Sequence, residues 1–198
     1  MSTSSAQVRA AKRSYRLGRR ADRQQETRRK IVEAAVELHS SLGPARTTVA
    51  QIAERAGVQR HTYYAHFPEE RELFLACSGL ALERDPLPDV GDWTSLPAGR
   101  ERLGHGLEAI YFWYERNAEQ SACVLRDAEY HPLTREMVEL RMKPFFVSAA
   151  EILGEGLSKR ALALLAVALD FACWRSLSQS LGPRDSARLM SEAIVRLD

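Results

Sequence analysis

Between Thr47 and Phe67 the chain carries two short apolar-periodic stretches parted by one glycine, and few folds accommodate that pattern. In the first stretch Val49, Ile52, Ala53 and Ala56 fall on one stripe of a helix. Thr48 and Gln51 stand at capping-box spacing, where a hydroxyl and a side-chain amide satisfy exposed backbone N–H groups reciprocally. Gly57 ends this helix. Val58 follows, and Gln59 to about Ala65 reads as a second short helix closed by His66-Phe67-Pro68. Two short helices joined by a tight glycine turn form a helix-turn-helix unit. Its first helix must bury one face to brace the second. Its second then presents Gln59, Arg60, His61 and Thr62.

Charge says what such a surface meets. The net charge of +2 conceals a strong asymmetry. Residues 1–30 hold ten Lys or Arg against two acids, whereas the remaining residues hold eighteen basic and twenty-four acidic side chains. A basic end of this kind suits a polyanion, either nucleic acid or an anionic membrane surface. Gln can pair with adenine and Arg with guanine, while Thr and His can reach several base edges or phosphates. Beside a helix-turn-helix, double-stranded DNA is the favoured partner. Residues 1–20 have too few apolar side chains to offset the entropy of ordering, so a basic arm over 1–21 is expected to be flexible when free. As a bland alternative, the run is only a solvated tail.

The remainder reads as helix. Ile31, Ala34/Ala35, Leu38 and Leu42 mark a first helix from about Asp22, ended by Gly43-Pro44 with the glycine in a left-handed conformation. Pro68 is placed in the first turn of a helix reaching about Arg84. Residues 85–97, with three prolines and a glycine, read as a linker. Helices follow at about 98–118, 120–129, 133–154, 158–180 and 184–197, with Pro144 kinking or dividing the third. No stretch alternates as a strand would. The expected class is all-α, with a reading head over 22–68 and a helical domain over 69–198.

The stretches TRRKIVEAAVEL (27–38), TTVAQIAERAGV (47–58) and TYYAHF (62–67) resemble the tetracycline-repressor (TetR) family. The resemblance implies a homodimer that binds a pseudo-palindromic operator and is released from it by a small molecule. It implies phosphate contacts for Thr47, Thr48, Tyr64 and His66, and base readout by Arg60, His61 and Thr62, with Tyr63 and Phe67 in the core. Arg28 is added as a cation fixed near the duplex by the first helix. Three positions depart from the family's habit. Gln59 stands where a Ser or Thr cap is usual, and Gln caps poorly. His61 stands where glycine is common. Glu70 stands where a lysine often grips phosphate, which leaves Arg71 as the nearest cation. The long basic arm offers a substitute contact along the backbone or in the minor groove. The alternative reading is a helical DNA-binding activator or architectural protein without ligand control.

A ligand site is sought among aromatics and convergent polar groups. Tyr111-Phe112-Trp113-Tyr114 would spread around a helix, so at least one must face solvent, a pocket or a partner. The candidates are His105, Tyr111, Trp113, Tyr130, Arg141, Phe145, Asp170 and Trp174, each with an ordinary structural role as its rival. Asp170 interrupts a stretch otherwise apolar on every side, and a buried carboxylate needs a partner. The helix about 158–180, apolar nearly all round, needs cover on two sides. A symmetric partner meeting it and the helix about 184–197 supplies the second.

Other classes find little support. Cys77, Cys123 and Cys173 lie far apart, and no Cys/His spacing suits zinc, so neither metal nor cofactor is expected. No H-E-x-x-H, G-x-S-x-G or P-loop occurs, which argues against an enzyme. The longest apolar run, Ala161 to Leu169, is about half of what a membrane span needs. With no apolar leader segment at the N-terminus, a cytoplasmic protein is expected.

Overall fold

The computed structural model describes residues 3–198, with side chains described from residue 19 onward. Among these residues the fold is all-helical. It consists of α1 (Thr3–Ser41), α2 (Val49–Arg55), α3 (Arg60–His66), α4 (Glu70–Arg84), α5 (Gly91–Thr94), α6 (Arg100–Arg116), α7 (Ala118–Ala128), α8 (Pro132–Arg141), α9 (Lys143–Leu153), α10 (Lys159–Ala168), α11 (Phe171–Leu177) and α12 (Pro183–Val195). A 3-10 turn over Pro44–Arg46 joins α1 to the short helices.

The first helix starts earlier than the apolar stripe suggests. Its backbone is helical from Thr3, not from about Asp22, so the segment read as an arm over 1–21 falls largely on this helix. Residues before Asp22 are rich in Ala and Arg and lack proline, so intrinsic propensity extends the helix beyond its packed part. Arm side chains before residue 19, Arg9 to Arg16 among them, lie outside the described residues. Leu42, expected on the buried stripe, follows the helix end and is exposed.

Two apolar cores organise the chain. The first joins Ile31, Ala35 and Leu38 of α1 to Ile52, Tyr63, Phe67, Leu73 and Cys77. The second gathers α6 with α9 to α12, around Trp93, Tyr111, Tyr114, Leu165 and Trp174. Helix α4 bridges them: Leu73 and Cys77 belong to the first core, and Leu82 packs on the second. Trp93, in the segment read as a linker, is 1% exposed, and its burial explains the extra turn α5.

A polar latch ties α7 to the turn before α2. The fully buried Asp127 carboxylate accepts the Ala45 N–H at 2.9 Å and the Tyr130 hydroxyl at 2.8 Å. Arg126 donates to the same carboxylate at 2.8 Å and to the Leu42 carbonyl at 3.0 Å. Burial alone would raise the Asp127 pKa. The Tyr130, Ala45 and Arg126 contacts outweigh it and hold the carboxyl below its ordinary range. Gly43 lies against this latch with φ +98° and ψ 149°, a positive-φ conformation but an extended one rather than left-handed helical. A Cβ there would strike the Arg126 guanidinium and the Asp127 carboxylate.

Two expectations for the C-terminal half need comment. Pro144 does divide 133–154, giving α8 and α9. The single helix 158–180 is corrected: it breaks at Asp170 into α10 and α11. Asp170 is exposed and caps α11, accepting the Ala172 N–H at 2.6 Å. The preceding carbonyls are taken by buried tyrosines, Tyr111 donating to Ala168 O at 2.8 Å and Tyr114 to Leu169 O at 2.7 Å. With acceptors satisfied on one side of the break and a donor on the other, continuing the helix offers no further hydrogen bonds.

Candidate nucleic-acid interface and an internal cavity

The two short helices form as their caps dictate. Gln51 N–H donates to Thr48 Oγ1 at 3.3 Å, and Thr48 N–H donates to Gln51 Oε1 at 2.8 Å, which completes the capping box. Thr47 donates its hydroxyl to the Gly43 carbonyl at 2.9 Å. Gly57 turns the chain at φ +67°, the left-handed region that an L side chain enters at a cost. Gln59 precedes α3 without a side-chain cap bond, as its poor capping chemistry implies.

Helix α3 is strongly two-faced. Tyr63 and the following Phe67 are 2% and 1% exposed and lock α3 against α1. The Tyr63 hydroxyl has its pKa pushed up to about 12, chiefly by burial. On the other side Gln59, Arg60, His61 and Tyr64 are exposed, and Thr62 and His66 are half-buried. Tyr64 meets Tyr63 edge-on at 5.3 Å, which fixes the phenol while 52% of the residue stays open to solvent. His61 and Thr62 lie 3.3 Å apart through Nε2 and Oγ1.

Helix α1 adds to this surface. The Arg28 guanidinium stacks over the Phe67 ring at 4.6 Å, so a cation is held beside α3. Arg28, Gln24, Gln25, Ala65 and His66 line one shallow groove. The two glutamines went unnoticed in the sequence, where nothing marks them apart from other polar helix residues. Arg71, beyond α3, pairs with Glu136 of α8 at 2.7 Å while remaining exposed.

The ligand candidates disperse. Trp113 and Arg141 line a cavity of about 100 Å³ between α1, α4, α6, α7 and α8. Tyr111 and Trp174 are packed into the second core, and Phe145 lies half-buried, edge-on to Trp93 at 6.2 Å. The Trp174 indole N–H has no hydrogen-bond partner among the described residues. His105, Tyr130 and Asp170 are exposed. For Asp170 the helix-cap role accounts for the carboxylate, and the interrupting charge is not buried.

The cavity wall includes residues the sequence did not single out as ligand candidates: His39, Phe74, Cys77, Asp85, Gln120 and Met137. His39 is 7% exposed, stacks on Phe74 at 5.1 Å, and sets Nδ1 3.6 Å from Cys77 Sγ. Burial, helped by the nearby His131 and opposed by Asp127, pushes its pKa down to about 4. Burial likewise pushes the Cys77 thiol up to about 12, which leaves it protonated and inert. Asp85 is held below its ordinary range chiefly by Arg116, with Asn117 adding to the effect.

The description "Bacterial regulatory proteins, tetR family" fits residues 31–77. The HTH-type transcriptional regulator TtgR of Pseudomonas putida is 52% identical over 52 residues, 26% of this chain and 25% of its own length. SrpR of Pseudomonas putida is 40% identical over 70 residues, 34% of this chain and 33% of its own. These matches span only a quarter to a third of those relatives. Among solved structures, a Mesorhizobium loti MAFF303099 protein assigned to the TetR family superposes with a TM-score of 0.62 at 18% identity, over 88% of this chain and 97% of that one. A Saccharomonospora viridis protein assigned as a transcriptional regulator, solved in complex with choline, gives 0.56 at 18% identity, over 86% and 96%. At such identity the likeness is one of fold. No helix among the described residues is long and apolar enough to cross a membrane.

Proposed function

We propose that the chain is a regulator of the tetR family, whose description fits residues 31–77, and that it is a cytoplasmic repressor whose homodimer leaves a pseudo-palindromic operator when a small molecule binds. The reading head is residues 22–68 and the sensing and dimerising domain 69–198. The observation that carries the DNA reading is the polarity of α3. Tyr63 and Phe67 anchor one side in the core, and Arg60, His61 and Tyr64 stand exposed on the other. Side chains projecting from a braced helix are what major-groove readout requires. Thr47, Thr48, Tyr64, His66 and Arg28 are assigned to phosphate. Gln59, Arg60, His61 and Thr62 are assigned to base edges.

Dimerisation is supported by uncovered apolar surface near the C-terminus. Leu162, Ala163, Ala166 and Val167 of α10 are exposed, as is Leu189 of α12 at 46%. A symmetric partner burying these side chains would set two recognition helices at a fixed spacing. Control by a small molecule is supported by the cavity, which touches both the head helix α1 and the bridging helix α4. A ligand that prefers one spacing of the heads shifts the dimer toward it, by no more than its difference in affinity for the two states.

Selection of bound duplexes from a random pool tests the reading. The purified protein should enrich an inverted repeat. In the same selection Arg60→Ala should flatten the preference at one base pair per half-site, by roughly tenfold for a lost bidentate contact. A profile identical to that of the parent protein would remove Arg60 from readout, and no enrichment at all would remove the DNA reading itself.

A further inference from the structure

Among the described residues the cavity carries one charge with no ion-pair partner. Arg141, on α8, donates through Nε to Ser78 Oγ at 3.4 Å and through Nη2 to the Leu75 carbonyl at 3.1 Å. Both partners are neutral, and no acidic side chain among the described residues forms an ion pair with Arg141, although ion pairs are common elsewhere on the surface. Asp85 is the one acid on the cavity wall, and its carboxylate is already occupied. Arg116 grips both oxygens at 3.0 and 2.9 Å, and Asn117 adds a third bond at 2.7 Å. The buried His39 ring stays neutral at ordinary pH. The rest of the wall is apolar or uncharged, with Phe74, Met137 and Trp113 prominent.

An arginine is charged at every accessible pH, and Arg141 is half-buried at a largely apolar wall, where an anion would pair with it more strongly than in open water. Its planar fork matches a carboxylate through two parallel N–H···O bonds, and only two of its five N–H groups are engaged by α4. The space is also of limited size, about 100 Å³ against the roughly 150 Å³ that holds a benzene ring, so a ring would be accommodated only by reaching beyond it. We infer that the effector is a small apolar monocarboxylate, of one ring or a short chain, whose carboxylate pairs with Arg141 while its apolar body lies against Phe74, Met137 and Trp113. This rests on reading the cavity as the effector site. The same guanidinium bonds to α4, so the ligand meets the helix that runs on from the reading head. A cationic ligand would meet like charge, and a neutral isostere would leave the arginine unbalanced.

The test titrates the full-length protein with benzoate, phenylacetate and hexanoate, each beside its primary amide, and with benzylammonium. Binding is read by calorimetry at pH 7.5. At least one acid should bind roughly tenfold or more tighter than its own amide, as a charge-assisted pair implies. Arg141→Gln should erase that margin, and Arg141→Lys should retain part of it. The inference is overturned if no acid binds, if acid and amide bind equally, if the amine binds best, or if the Gln variant keeps the preference. Operator release, measured with the same compounds, judges the underlying reading separately. An acid that binds through Arg141 but leaves operator affinity unchanged supports the site and removes the effector role. An amide that releases the operator when the acids do not bind overturns the site and keeps that role.

Discussion

Acidification from pH 6.5 to about 4 is expected to remove about 3 kcal/mol of folding stability through a single side chain, His39. The ring is buried between Phe74 and Cys77, and burial is the main reason its native pKa falls to about 4. The unfolded chain takes up this proton near pH 6.5, whereas the native protein refuses it until about pH 4. Within that window the unfolded state binds more protons, so stability falls as pH falls. Above the window the contribution is present in full. Urea midpoints measured across pH 4 to 7 at one protein concentration would show the slope, and His39→Gln should flatten it. The aspartates Asp85 and Asp127 have pKa values lowered from 3.8, so their contributions fall mainly at lower pH and overlap the His39 window only at its acid end. A His39→Gln profile as steep as that of the parent would refute the assignment.

The second large effect is expected from Asp127→Ala. Removing this carboxylate strips Ala45 N–H, the Tyr130 hydroxyl and Arg126 of a shared acceptor. The half-buried amide loses most, because water replaces the acceptor poorly there. A loss of about 2–3 kcal/mol is expected, at the upper end for an unsatisfied buried group since several partners are stranded together. Asp127→Asn keeps a carbonyl oxygen for Ala45 and should lose about half as much. Operator affinity should fall along with stability, because the freed turn over Pro44–Arg46 sets where Thr47, Thr48 and α2 begin. The measurement pairs denaturant unfolding with operator titration at a temperature where the variant remains folded. An Ala variant with parental stability and parental affinity would show that the latch holds nothing.

The head was legible because its determinants are local. Thr48 and Gln51 are three residues apart, Gly57 turns the chain alone, and the apolar period of Ile31 to Leu38 is self-evident. Asp170 shows where such reading stops. The sequence displays a carboxylate inside an apolar run, which fits either a buried charge or a helix cap. The choice was made by the Tyr111 and Tyr114 hydroxyls, which reach the preceding carbonyls from more than fifty residues away. The ligand candidates dispersed for a related reason. Aromatic clusters such as Tyr111 to Tyr114 fill the space around themselves, so Tyr111 and Trp174 became core. The cavity lies instead where the two cores meet imperfectly, and no sequence period announces that junction. Arg141 and Trp113 were reachable as types of residue, while His39 and Asp85 became visible only when α1, α4 and α7 were packed around one space.

Arg71 and Arg141 together give α8 two grips on α4, one through Glu136 and one through Leu75 and Ser78. Arg71, a few residues beyond α3, is therefore already shared between α4 and α8. A phosphate that draws Arg71 away must displace a carboxylate from within the same protein, and in doing so it loosens the hold of α8. If the protein binds DNA as proposed, anything that tightens α8 on α4 would by reciprocity take a positive charge from the duplex. Indiscriminate DNA, which offers charge and little else, would suffer most from that rivalry, so an internal ion pair of small strength would work in favour of the correct sequence.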